Sequence, residues 1–171
     1  MERALGPKDF LDAARDPATQ ADQLDELADS PYSFVRTAVA THRNASSETL
    51  GRLVPSAADS YPQQELLRAL ASNPNSATVT LARVADLLVG RLNGGRDNHG
   101  AFEAGIALFG RCDTPVEILL RLLADGTTST EFRKVAARDT GRPDVLTVLR
   151  QDRSERVRRA ADRDAATHKS H

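Results

Sequence analysis

Aromatic residues, cysteine and long apolar runs are all scarce in this chain of 171 residues. Aromatic residues make up only 4% of it and tryptophan is absent, whereas a β-sandwich or a module that stacks nucleic-acid bases normally uses more rings. Cys112 is the only cysteine, so no disulfide can form within the chain. No stretch approaches a membrane span, and no apolar segment of a secretory signal precedes Lys8. The composition therefore predicts a helix-rich, cytoplasmic domain.

Charge is balanced overall but unevenly spread along the chain. The formal net charge is −1, yet residues 1–70 hold 7 basic and 11 acidic side chains, and residues 130–171 hold 11 basic and 7 acidic ones. An acidic front and a basic back would suit an acidic partner at the C-terminal end, or head-to-tail packing of copies. The alternative is an ordinary solvated surface. Arginine outnumbers lysine by 20 to three, which is typical of a GC-rich bacterial genome.

One sequence pattern recurs along the chain. Its full copies cover residues 35–54, 66–85, 104–123 and 132–149, and half-copies cover residues 14–28 and 157–161. Each full copy holds two groups of apolar residues at helical spacing, such as Val35, Ala38 and Val39, on either side of a polar turn. The turns carry helix-start chemistry, with Ser46 and Thr114 as predicted N-caps. Each copy is therefore predicted to be a pair of short helices.

A single short helix pair cannot bury its own apolar face. Stacking neighbouring pairs in register makes a continuous core, which is how an α-solenoid is stabilised. Alanine at the tight positions lets the helices approach closely, and this accounts for the few aromatic residues. We expect one all-α solenoid domain of about five repeats over residues 1–162, capped by the N-terminal half-copy. The remaining residues, 163–171, are expected to be a disordered basic and polar tail.

Residues 35–54 carry the most specific phrase, in which Val-Arg-x-Ala-Val-Ala leads into a His-x-Asn turn and a Leu-x-x-Leu helix. This phrase resembles the leucine-rich repeat variant, a relative of HEAT repeats, and the resemblance extends over residues 14–161. It implies a right-handed superhelix in which an α-helix alternates with a shorter one. The irregular inserts at 55–61 and 86–100 depart from that family, as does the lack of the cysteine cluster that holds an iron–sulfur centre in some members. The resemblance implies a fold and hardly any function.

Catalytic and metal-binding patterns are missing. The four histidines are scattered, at His42, His99, His168 and His171, and complete no zinc pattern. Cys112 lies in a turn between helices, where we expect an interior structural thiol or an inert turn residue. HEAT-like DNA glycosylases use an aromatic wall, but Tyr32 and Tyr61 both lie beside proline near predicted helix starts. We expect no enzyme activity, no metal and no cofactor.

A basic residue recurs near the start of the first helix of several copies. The candidate binding residues are Arg36, Arg68, Arg133, Lys134, Arg156, Arg158 and Arg159. Equivalent positions line up in a solenoid, so the C-terminal members would form a basic face for an acidic protein segment, a phosphate or a nucleic-acid backbone. The alternative is that they pair with aspartates that close the preceding helices, such as Asp29, Asp125 or Asp152.

The predicted function is a non-enzymatic scaffold that binds a protein or peptide through the solenoid surface. The insert at 86–100 is interpreted either as a contact surface or as a variation in length. The alternative function is a nucleic-acid-binding solenoid that uses the C-terminal arginines. The near-zero net charge argues against it, because such modules usually carry a strong basic excess.

Overall fold

The computed structural model describes residues 6–93, 98–124 and 126–167, and the side chains among them up to Asp162. These residues form helices and turns, with no strand among them, which confirms the all-α class. The helices are α1 (Pro7–Arg15), α2 (Ala21–Ala28), α3 (Ser33–Thr41), α4 (Ser47–Arg52), α5 (Tyr61–Ser72), α6 (Thr78–Leu88), α7 (His99–Gly110), α8 (Val116–Ala124), α9 (Thr130–Asp139), α10 (Pro143–Leu149) and α11 (Glu155–Thr167). Within this part of the chain, no helix has both the length and the apolar character to cross a membrane.

The helices follow the predicted copies in pairs, but the first pair was only half predicted. The sequence indicated a single helix over residues 14–28, whereas α1 begins at Pro7 and forms a complete pair with α2. Asp9 caps α1 by accepting a hydrogen bond from the Gly6 N–H at 2.7 Å. Only Ala14 of α1 is fully buried, while Phe10 and Leu11 are half-buried against the core. At the other end, α11 includes the start of the expected tail, and residues 168–171 lie outside the described residues.

Helix starts depend on the turn that precedes them. Ser46 caps α4 as predicted, because its side chain accepts a hydrogen bond from the Thr49 N–H at 3.0 Å. The predicted cap at Thr114 is wrong. Helix α8 begins at Val116, and Thr114 Oγ1 is buried with no hydrogen-bond partner among the described residues. Cys112 is exposed in the same turn. It is therefore not an interior structural thiol, and its interpretation as a turn residue remains.

Two series of contacts connect the pairs. Each odd-numbered helix packs against the next odd-numbered one, from α1 to α11, and each even-numbered helix packs against the next even-numbered one, from α2 to α10. The buried side chains are mainly alanine, leucine and valine and form one core from Ala14 to Ala161. The apolar residues of each copy are therefore buried against the neighbouring copies.

Gly105 of α7 lies close against Phe132 of α9. A Cβ atom built on Gly105 would lie 2.7 Å from Phe132 Cε2. The Phe132 ring cannot retreat easily, because it packs edge-on against Phe102 and Phe109 with centroid distances of 5.2 and 5.7 Å. Three of the seven aromatic residues thus cluster where a glycine makes room for a ring.

Candidate functional site

Three of the predicted binding arginines hold the backbone that precedes their own helix. Arg36 Nη1 donates to the Ser30 carbonyl at 2.7 Å, and Arg158 Nη1 donates to the Asp152 carbonyl at 2.8 Å. Arg133 Nη1 donates in the same way to the Thr128 carbonyl. These arginines occupy equivalent positions in α3, α9 and α11, so one recurring interaction anchors the start of each of these helices.

Arg133 also forms the most enclosed ion pair among the described residues. Its Nε atom lies 2.7 Å from Asp152 Oδ2, and the two side chains are 5% and 10% exposed. Burial alone would raise the pKa of Asp152, but hydrogen bonds from Arg133 and from the Ser154 N–H lower it below its usual value. Asp152 therefore pairs with an arginine, as one of the two interpretations expected. Asp29 pairs with Arg52, whose Nη2 lies 3.0 Å away and which is not one of the candidates. Asp125 lies outside the described residues.

Three further candidates pair with glutamates of their own helices. The nitrogen–oxygen distances are 3.0 Å for Arg68 and Glu65, 2.8 Å for Lys134 and Glu131, and 2.6 Å for Arg159 and Glu155. Arg156 is exposed. Six of the seven candidates thus have a partner within the chain. Their role in binding stays a prediction.

Polar side chains also connect successive turns between odd and even helices. Asn44 Nδ2 donates to the Thr19 carbonyl at 2.9 Å, and Asn75 Nδ2 donates to the Ala45 carbonyl at 3.0 Å. Further along the chain, Arg111 donates to the Asn73 carbonyl and Arg142 donates to the Thr114 carbonyl. We call this series the turn ladder. The His-x-Asn phrase of the sequence therefore belongs to the connection between neighbouring helix pairs.

A groove lies at the acidic end of the molecule, beside α1 and α2. We call it the N-terminal groove. It has a volume of about 670 Å³ and is lined by Asp9, Phe10, Ala13, Asp16, Ala18, Thr19, Gln23, Glu26, Leu27, Asp29, Ser30 and Pro31. Phe10 and Leu27 are half-buried and supply apolar surface, while four carboxylates supply negative charge. Its described lining includes no lysine, arginine or histidine.

Two of these carboxylates are hydrogen-bonded to neutral backbone groups. Asp9 accepts from the Gly6 N–H, and Asp16 accepts from the Ala18 N–H at 2.9 Å. Such bonds fix the side chains without cancelling their charge. Of the four, only Asp29 has a cationic partner among the described residues, and this partner is Arg52. The groove therefore combines apolar surface with a largely uncompensated negative charge.

A second, smaller groove of about 320 Å³ lies between α3, the turn after α4 and the start of α5. Arg36 and Arg52 line it, but both have partners. Arg36 binds the Ser30 carbonyl, and Arg52 binds both Asp25 and Asp29. The pKa of Asp25 is lowered by hydrogen bonds from the Thr49 hydroxyl and from Arg52. The positively charged side chains at this groove are thus largely paired with other groups of the chain.

The residues of the N-terminal groove were not among the sequence candidates. A usable signal was present, because residues 9–29 contain seven acidic side chains and one basic one. The apolar component could not be found in the same way, since Phe10 and Leu27 belong to different helices and meet only in the fold. Comparison of the chain with protein-family models, with curated proteins and with solved structures finds no match.

Proposed function

We propose that this chain is a non-enzymatic scaffold that binds a protein or peptide partner on an α-solenoid. The two series of helix contacts and the turn ladder support a solenoid, since each pair contacts its neighbours. The sequence resemblance to leucine-rich repeat variants and HEAT repeats supports a right-handed superhelix for this solenoid. Repeat scaffolds of this kind use their exposed surfaces to hold other chains.

The N-terminal groove is the observation that carries this proposal. Its volume of about 670 Å³ lies within the usual range for a binding pocket, roughly 300 to 1,000 Å³. Apolar surface next to polar groups is the composition expected where a side chain of a partner is held and oriented. The proposed binding site therefore lies at the opposite end from the arginines of α9 and α11.

Selection from a displayed library of random peptides tests this function. Ala13 is exposed and lines the groove, so Ala13→Trp should fill it without disturbing the core. Ser72→Trp is the matched control, because Ser72 is exposed on α5 and lines none of the described grooves. Selected peptides should bind the wild type and Ser72→Trp equally, and Ala13→Trp about tenfold more weakly. Failure to select any peptide, or equal binding by all three proteins, would contradict the proposal.

A test of the nucleic-acid alternative requires variants that leave the fold intact. Arg133 and Arg158 are unsuitable, because they anchor the backbone before α9 and α11. Arg156 and Arg159 are exposed and can be reversed to glutamate. Binding of duplex DNA or single-stranded RNA at physiological salt, lost in the Arg156→Glu, Arg159→Glu double variant, would favour the alternative over the scaffold.

A further inference from the structure

We propose that the N-terminal groove binds a cationic, amphipathic peptide segment, in which an arginine or lysine side chain is flanked by apolar residues. This inference rests on the proposed function and specifies the chemistry of the partner. It differs from the acidic partner that the basic end of the sequence suggested.

Charge is the first argument for a cationic segment. Asp9, Asp16 and Glu26 line one groove, and none of them has an ion pair with a described lysine or arginine. Like charges gathered around one groove repel each other, and a bound cation replaces that repulsion with attraction. An acidic peptide or a nucleic-acid backbone would add to the repulsion. The groove therefore selects for positive charge.

Apolar surface is the second argument, and it favours a peptide over a small cation. Phe10 and Leu27 are only partly buried, and Pro31 and Ala18 are exposed at the same groove. A simple polyamine would neutralise the carboxylates but would leave most of this surface in water. Apolar residues beside an arginine or lysine would cover it, and removing that surface from water favours binding. The long methylene stem of either basic side chain contributes in the same way.

Three short synthetic peptides that share one leucine–alanine frame test the charge preference. Two positions of the frame carry arginine in the first peptide, glutamine in the second and glutamate in the third. Fluorescence anisotropy should show binding of the arginine peptide, with at least about tenfold weaker binding of the other two. Affinity for the arginine peptide should fall several-fold when salt rises from about 50 mM to about 300 mM, because the carboxylates lie near the surface.

The variant Glu26→Gln tests whether the groove itself provides the charge. Glu26 is exposed, so the substitution removes one charge with little change in shape. Glu48→Gln is the matched control, since Glu48 is an exposed glutamate of α4 outside the groove. Glu26→Gln should weaken the arginine peptide about three- to tenfold, and Glu48→Gln should leave it unchanged. The thermal unfolding curves of both variants should match that of the wild type.

The outcomes separate this inference from the function on which it rests. Equal or tighter binding of the glutamine or glutamate peptide at the groove would overturn the charge preference and leave the scaffold function standing. Spermine binding as tightly as the arginine peptide would overturn the peptide as the ligand. Equal weakening by Glu26→Gln and Glu48→Gln would mean that the groove does not provide the charge. If Ala13→Trp also fails to weaken the binding of any library peptide, the proposed scaffold function is contradicted as well.

Discussion

Arginine contributes very differently to stability at different positions of this chain. Arg133 is almost fully enclosed and pairs with a nearly buried aspartate, whereas Arg159 pairs with a glutamate on an exposed helix face. Enclosed charges are costly to separate, because each loses its hydration and depends on the other. Exposed pairs are screened by water and contribute little. Surroundings rather than residue identity therefore decide which arginines hold the fold together.

Removing the partner of Arg133 should destabilise the fold strongly. Asp152→Ala leaves an enclosed guanidinium without its carboxylate, and we expect the free energy of unfolding to fall by about 3–5 kcal/mol at neutral pH. Urea denaturation measures this loss. Arg159→Gln is the control and should change the stability by less than about 0.5 kcal/mol. Similar losses in the two variants would show that Asp152 and Arg133 are not enclosed together.

The contribution of Asp152 should also depend on pH. The pKa of Asp152 is lower in the folded chain than in the unfolded one, so its stabilising effect is complete above the unfolded value of about 4. The effect is lost as the pH falls through the folded value. The gap in stability between the wild type and Asp152→Ala should therefore shrink below about pH 4. A gap that widens there would contradict the lowered pKa.

At the level of elements, the turn ladder connects each helix pair to the pair that precedes it in sequence. Asn73 shows how: its side-chain Nδ2 donates to the carbonyls of Ala40 at 2.8 Å and His42 at 3.1 Å, and the residue is 3% exposed. Buried carbonyls that lose their donors cannot turn to water instead. The ladder therefore fixes the register of one pair on the next.

Loss of one step of the ladder should be measurable. Asn73→Ala removes both donors, and we expect it to lower the free energy of unfolding by about 1–3 kcal/mol. Ser72→Ala, at the neighbouring exposed position, should change it by less than about 0.5 kcal/mol. Thermal or urea unfolding of the two variants measures this difference. Equal stability would contradict a stabilising role for the turn ladder.

Close packing of α7 on α9 gives a second prediction at this scale. Gly105→Ala would push a methyl group against the enclosed Phe132 ring, and we expect a loss of about 1–3 kcal/mol in the free energy of unfolding. Gly110 of the same helix has open space around it. Gly110→Ala should be neutral or stabilise the fold by up to about 1 kcal/mol. The same sign for both substitutions would contradict this packing.

For the molecule as a whole, the repeating part of the fold was predictable, and the N-terminal helix α1 was not. Apolar spacing located four pairs, because leucine, valine and alanine recur at helical intervals. It missed α1, which precedes the first predicted copy and in which Ala14 alone is fully buried. The sequence indicated Asp152 as a possible partner of the arginines, but not that Arg133 would pair with it, since this depends on which carboxylate is enclosed beside the guanidinium. The N-terminal groove could not be predicted either, because its apolar surface comes from Phe10 and Leu27, which lie in two different helices.

The basic and acidic ends of the fold differ in how far their charges are paired within the chain. Most of the basic candidates at the C-terminal end are paired within the chain. At the N-terminal end, by contrast, carboxylates surround a groove without a lysine or arginine in its described lining. The proposed activity of the molecule therefore lies at its acidic end, although the arginine pattern is the more conspicuous feature of the sequence.

Mapping the bound peptide on the protein tests this claim most directly. Amide chemical shifts of the isotopically labelled chain can be followed by NMR as the arginine peptide is added. We expect shifts concentrated in α1, in α2 and in the turn around Ser30, and few in α9 or α11. Shifts concentrated in α9 and α11, or no saturable shift anywhere, would contradict it.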